Sequence, residues 1–323
     1  MAIRSRRAYF LVNAAILAVA LVHLSAQGPL KDGEATSPAL ESLWASSPDL
    51  LARDLFHGPG GSALKPAADV AFSWVSTDAT GYSPGFDVRD AAGRSWSVKL
   101  GPEAQTEVAT SRVLWAIGYH QPPTYYLESW ELSGGPGGRQ GPARFRVDFD
   151  GASVVGNWSW EENPFVSTQP YRGLIVANIL LNSWDWKASN NKIYRGPGTQ
   201  ERYVVRDLGA SLGRTSASRL LWILPLPMRG FGQGSRNDID GFEAQGFIKQ
   251  VDHDGVDFDF DTIYAGVVDR VKSDDVRWTC ELLGKVGDQQ WDDIFRAAGY
   301  SQDIRSRYIR KIKAKIAEGL AVS

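Results

Sequence analysis

Cysteine is almost missing: Cys280 is the only one in 323 residues. No intramolecular disulfide can form, and a cysteine-built zinc site is excluded. Histidine is scarce too. His23, His57, His120 and His253 stand far apart, so a His-rich metal site is not expected. Charge of either sign is not in excess: the formal net charge is −2, which removes any global electrostatic case for nucleic acid as a partner. A calcium loop is also lacking. "VDHDGVDFDFD" at 251–261 is rich in aspartate, but counted from Asp252 its glycine is fourth rather than sixth, and the closing glutamate is missing. Its alternation fits a strand with one acidic face.

Apolar side chains are plentiful. Hydrophobic residues make up 43% and charged residues 22%, the balance of a globular chain rather than a disordered one. There are 12 tryptophans, a high number, and many are expected to be core or pocket walls; "NWSW" and "SWDW" raise the alternative of a sugar-stacking surface. The basic stripe "RSRYIRKIKAKIAEGL" reads as a solvated helix face before it reads as a membrane contact.

The N-terminus has the order of an export signal. "MAIRSRR" is basic, "AYFLVNAAILAVALVHL" is uncharged and apolar, and "SAQG" offers small residues for cleavage after Ala26. Residues 1–26 are expected to be a signal peptide or, uncleaved, a membrane anchor, the apolar run being just long enough to span. Either way the body lies outside the cytoplasm, periplasmic or secreted, and membrane contact is confined to this segment.

Residues 27–66, rich in Ser, Pro, Gly and Ala, read as a linker or N-terminal extension with one short helical stretch near "SPDLLARDLF". Strand patterns follow: "VAFSWVS", the hairpin "FDVRD-AAGR-SWSVKLG", "TYYLESWEL" and "ARFRVDFD". Between them, 103–117 is free of Gly and Pro and carries Ala104, Val108, Leu114 and Ile117 at helical spacing, with Pro102 before it and Gly118 after it. "QPYRGLIVANILLNSW" is the most apolar helix of the body. "NKIYRG" and "ERYVVRD" form a hairpin, and the chain beyond 262 is helical. With "SGGPGGRQGP" as a hinge, these patterns predict an α+β fold of two lobes, a β-rich one at 67–132 and a mainly helical one at 133–323. A ligand is expected in the cleft between them.

The chemistry-bearing residues come in a telling order. Lys99 ends a strand, Glu107 follows on the next helix, Asp185 and Asn190 follow the buried helix, and Asp207 follows a second strand. Singly, each reads as an edge, cap or turn residue. Together they resemble the protein-kinase-like superfamily. "DWKASN" resembles its catalytic loop, with Asp, then Lys two residues on and Asn five residues on. "RDLG" resembles its metal-binding turn, with Leu208 in the Phe position, and "WSVKLG" resembles its lysine-bearing strand.

The resemblance spans roughly residues 70–212 and implies a two-lobed kinase-like fold using Mg²⁺ and ATP or another nucleoside triphosphate. By the same resemblance Lys99 touches the donor phosphates and pairs with Glu107, or with Glu103 one turn earlier. Asp185 orients the acceptor hydroxyl and takes its proton, and Lys187 steadies the transferred group. Asn190 and Asp207 hold the metal, with Asn191 as a substitute, and Gly81 and Gly85 in "TGYSPG" cover the phosphates. The chain departs from the pattern in several places. Ser183-Trp184 stands before the catalytic Asp in place of His-Arg, the glycine loop lacks its full spacing, Lys99 and Glu107 are close in sequence, and no Ala-Pro-Glu segment follows the metal turn. The acceptor, whether protein, carbohydrate or small molecule, stays open. The competing expectations are a kinase-fold binding module without turnover (a pseudokinase) and a Trp-rich carbohydrate-binding surface protein.

Overall fold

The computed structural model describes residues 39–46, 52–67, 69–79, 82–216, 234–253 and 255–322. The expected export segment at 1–26 lies outside these residues, as do Gly81 and residues 47–51 of the short helical stretch near "SPDLLARDLF".

The first lobe begins with three antiparallel strands, β1 (Phe72–Asp78), β2 (Gly85–Arg89) and β3 (Ser95–Leu100). Helix α1 (Glu103–Ala116) follows directly, because Gly101, at φ 80°, and Pro102 turn the chain in two residues. Four more strands complete the sheet: β4 (Thr124–Leu127), β5 (Trp130–Ser133), β6 (Gly138–Gln140) and β7 (Ala143–Arg146). Their order is β4-β7-β3-β2-β1-β5-β6, and β1–β5 is the one parallel pairing in it.

The period of two sorts the side chains. Phe86, Val88, Trp96, Val98, Tyr125 and Phe145 fall on one face and pack with Phe72 and Trp130 into the core of this lobe. On the other face the register sets Lys99 opposite both Gly85 and Arg144, and Ser97 opposite Arg146. A polar, charged sheet face therefore looks away from that core.

Two boundaries differ from the sequence reading. The glycine-rich stretch is not a hinge after residue 132. Gly134, Gly135, Gly137 and Gly138 all have positive φ and form the tight turn between β5 and β6, where residues with a Cβ would be strained. The first lobe runs on to Arg146, because β7 inserts between β4 and β3. Residues 39–66 are not a free linker either. Leu43 and Leu55 are each 1% exposed, the Trp44 indole donates to Ile117 O, and buried Arg112 donates to His57 O. Single apolar side chains spaced among small residues here fill the back of α1.

The second lobe is built on α2 (Gln169–Leu180), whose side chains are buried nearly all round, as a predominantly apolar helix must be. Thr168 caps its N-terminus, accepting from Tyr171 N. A three-stranded sheet of β8 (Ser153–Gly156), β9 (Asn191–Arg195) and β10 (Glu201–Val205) contains the expected hairpin. Beyond it come α3 (Ile239–Ala244), the hairpin of β11 (Ile248–Val251) and β12 (Val256–Phe258), then α4 (Ala265–Val268), α5 (Ser273–Gly284), α6 (Asp288–Ala297) and α7 (Gln302–Leu320). A β-rich lobe followed by a mainly helical one is the two-lobed α+β fold the sequence predicts.

The structure bears on two surface readings. Trp158, Trp160 and Trp186 are core residues, with Trp160 and Trp186 stacked at 4.9 Å, so these indole faces are closed to a sugar. The basic stripe of α7 is answered by acids on its neighbours: Arg307 pairs with Asp240 and Glu243, Arg310 with Glu243 and Lys313 with Asp288. Among the described residues no helix is long and apolar enough to cross a membrane.

Candidate active site

Backbone hydrogen bonds set the loop that carries Asp185. At the end of α2 the chain turns through Asn182, at φ 51°. From there it runs beside the segment after Asp207, with Leu212 N donating to Leu181 O and Trp184 N to Ala210 O. Asn190 O then accepts from both Arg206 N and Asp207 N, at 3.0 and 3.2 Å. The loop and the turn at Asp207 are thus bonded on both sides of Asp185. Beneath them Lys315, buried on α7, donates to Leu180 O at 3.0 Å and to Asn182 Oδ1 at 2.9 Å. Burial lowers its ammonium to about 7, and it serves as a polar peg under the end of α2.

Asp207, Lys99 and Glu107 meet in the cleft. Lys99 Nζ lies 2.7 Å from Asp207 Oδ1, 3.0 Å from Glu107 Oε2 and 3.4 Å from Glu103 Oε2. Both expected glutamate partners are therefore engaged. Burial works against the charge on Lys99, but Glu107 and Asp207 outweigh it and raise its pKa. Burial likewise opposes ionisation of Asp207, and the neighbouring Lys99 ammonium overcomes this and holds the carboxyl at about 2. Gly209 permits the close fit of the turn after Asp207 against α1, since a Cβ there would lie 2.6 Å from the Glu103 side chain.

These groups line one polar cavity of about 460 Å³, together with Asp185, Lys187, Asn190 and Gly85. Lys187 Nζ sits 3.0 Å from Asp185 Oδ2, and the Asn190 amide donates to Asp185 O at 2.9 Å. Asp207 Oδ2 and Asn190 Oδ1 have no partner among the described residues. They are hard oxygen donors on the cavity wall, the type and small number that Mg²⁺ takes from a protein, so the donor set fits the expected metal. Among the described residues there is no cluster of three or more His, Cys, Asp or Glu that could hold a metal by itself.

Asn191 does not fit as a substitute ligand. It opens β9, and the alternation of the strand turns its buried amide inward to donate to Trp158 O. Gly85 is on the cavity wall, and its missing side chain lets β2 lie against Val98 O, which a Cβ would meet at 2.3 Å.

Several lining residues escaped the sequence reading. Ser83 presents a buried hydroxyl without a partner. Arg236 bonds Glu103 Oε1 at 2.7 Å and stacks on Tyr82 and Trp184, its guanidinium 3.9 and 4.6 Å from their ring centroids. Arg144 and Arg146 flank Glu107, at 2.9 and 2.6 Å from its Oε1. The alternation in "ARFR" is the one signal that could have revealed the last two, since it sets both arginines on the face opposite Phe145.

Glu107 is the hub of this network. It is buried, and although burial disfavours its charge, Arg144, Lys99 and Arg146 hold it ionised. Its replacement by Gln is expected to destabilise the fold by about 3–5 kcal/mol, the cost of leaving buried charges unpaired. Denaturant unfolding measures it. Glu103→Gln, in which Lys99 keeps two carboxylate partners, is expected to cost less.

No family model matches the sequence, and no curated protein matches it significantly. Solved structures similar in shape include a Helicobacter pylori proinflammatory kinase, CtkA, with 12% identity, a TM-score of 0.43 and coverage of 78% of this chain and 94% of that one. A Golgi casein kinase is similar at 8% identity and a TM-score of 0.39, over 79% of this chain and 73% of its own.

Proposed function

We propose that the chain is a kinase-like phosphotransferase that moves the terminal phosphoryl group of a Mg²⁺-bound nucleoside triphosphate to a hydroxyl acceptor. One observation carries the reading: an unbroken line of contacts, Asp185–Asn190–Asp207–Lys99–Glu107, runs through a single polar cavity between sheet and helices. Each member has the chemistry that phosphoryl transfer requires. Lys99 offers a fixed cation to the donor phosphates, and Glu107 holds it in place. Asn190 and Asp207 would hold Mg²⁺, which when bound neutralises charge on the phosphates. Asp185 is at the end of the line, where an acceptor hydroxyl enters. As the acceptor oxygen bonds to phosphorus and the bond to the leaving diphosphate breaks, the hydroxyl proton passes to the Asp185 carboxylate. Lys187, ion-paired with Asp185, is placed to steady the transferred group.

The acceptor is a protein, carbohydrate or small molecule, and the apolar N-terminal run is what would carry the enzyme out of the cytoplasm. A second reading, a binding module without turnover, is favoured by one feature. Trp184, an indole that donates to Ser235 O, stands before Asp185 where the resembled catalytic loop carries a cation.

Thermal unfolding of the full chain tests the proposal. A nucleoside triphosphate is expected to raise the melting temperature only when Mg²⁺ is present, because a ligand bound to the native state alone stabilises it. A chain unmoved by any nucleotide with Mg²⁺ defeats both readings. Nucleotide binding with no transfer to any acceptor, water included, leaves the binding module.

A further inference from the structure

Arg236 stands where four parts of the chain meet, and its neighbours are pinned on both sides. Ser235 N donates to Arg214 O, and Ser235 O accepts from the Trp184 indole. Asn237, at φ 51°, donates through its backbone to Ser211 O and through its amide to Gln105 Oε1, and it accepts from Tyr300 OH. The Arg236 side chain between them is 9% exposed and lines the same cavity as Lys99 and Asp185.

Three groups converge on its guanidinium. Nε donates to Glu103 Oε1 at 2.7 Å, and the other oxygen of that carboxylate lies 3.4 Å from Lys99 Nζ. The ring of Tyr82, in the connection between β1 and β2, is centred 3.9 Å from the guanidinium carbon. The ring of Trp184, next to Asp185, is centred 4.6 Å from it. Both lie within the roughly 6 Å over which an aromatic face attracts a cation. A planar guanidinium suits the place, because it meets rings on its faces while its edge bonds a carboxylate. Tyr82 is 66% exposed, so burial in a core does not explain where its ring rests. Arg236 therefore bridges Tyr82 and Glu103 of the first lobe to Trp184 of the second.

We infer that Arg236 is a positioning residue for phosphoryl transfer: it clamps the β1–β2 connection to the loop of Asp185 and so fixes the donor phosphates relative to the base. The inference rests on the phosphotransferase reading, in which that connection covers the phosphates. Transfer is sensitive to such spacing, since misplacing reacting groups by about 1 Å can cost about 10²-fold in rate.

The test is single-turnover transfer from saturating Mg²⁺-ATP and Mg²⁺-GTP by the full chain, to water or to itself, with affinities measured by calorimetry. Tyr82→Ala changes an exposed side chain and leaves Lys99, Asn190 and Asp207 in place. It is expected to lower the saturated rate by about 10-fold or more, with affinity nearly unchanged. Tyr82→Phe keeps the ring and should restore the parental rate. Arg236→Lys keeps the charge beside Glu103 but not the plane, and should fall with Tyr82→Ala. The double variant Tyr82→Ala, Arg236→Ala should be no slower than Arg236→Ala alone, because both changes open one clamp.

A parental rate in Tyr82→Ala, or in folded Arg236→Lys, overturns the inference and leaves the phosphotransferase reading standing. A loss confined to affinity, a Tyr82→Phe as slow as Tyr82→Ala, or additive losses in the double variant overturn it too. A parent chain that binds these nucleotides and transfers nothing removes the phosphotransferase reading, and the role of Arg236 with it. The Tyr82 pair decides the matter even where a change at Arg236 unfolds the chain.

Discussion

Asp207→Ala is expected to remove metal-dependent nucleotide binding while leaving the fold in place. The carboxylate is held ionised beside Lys99, and its second oxygen is open to the cavity, so the substitution deletes the one charged ligand proposed for Mg²⁺. Loss of an outer-shell partner alone weakens a metal site by about 10–100-fold, and loss of a direct anionic ligand should exceed that. The fold should tolerate the change. Lys99 retains Glu107 and Glu103 as partners, and the Asp207 side chain is 40% exposed rather than a core group. Calorimetry with Mg²⁺ and nucleotide, alongside a thermal melt, measures both effects. A folded variant that binds Mg²⁺-nucleotide as well as the parent rules out the metal assignment.

Asp185→Asn should give the opposite pattern. Its carboxylate touches Lys187 and not Lys99, so the end of the cavity proposed to hold the phosphates is left intact and nucleotide affinity should hardly change. Turnover is expected to drop by about 10²–10⁴-fold, the range for loss of a general base, because an amide cannot take the acceptor's proton. Single-turnover phosphate transfer with the nucleotide saturating separates the two quantities. If the variant turns over at the parental rate, Asp185 is not the base.

What was legible in the sequence was mostly what is local. Lys99, Glu103 and Glu107 meet because a strand end, a two-residue turn and a helix leave them little choice of direction. Asp185 and Asn190 are fixed by five residues of loop, and Asp207 by a hairpin that returns to that loop. Distant pairings were less readable. Nothing in "ARFR" says that β7 will enter the sheet between β4 and β3, so the first lobe was cut short and its two arginines looked like ordinary strand residues. Asn191 follows Asn190 in sequence, yet one step along a strand reverses the side chain and sends it into the core. Leu43 and Leu55 sit among Ser, Pro and Gly, and composition alone hides two well-buried residues in such a stretch.

The hub at Glu107 bears on how this chain can change over generations. Loss of Lys99 alone leaves Glu107 with two arginines against its one charge, and loss of Glu107 alone strands those two arginines in a low-dielectric pocket. Neither step is neutral, so drift away from the proposed phosphate binding would have to pass through a destabilised form or alter two positions together. Asp185 carries no such tie to the hub. A lineage that lost its chemistry would shed that carboxylate first and keep the charged cleft, so a silent descendant should still look like a nucleotide binder.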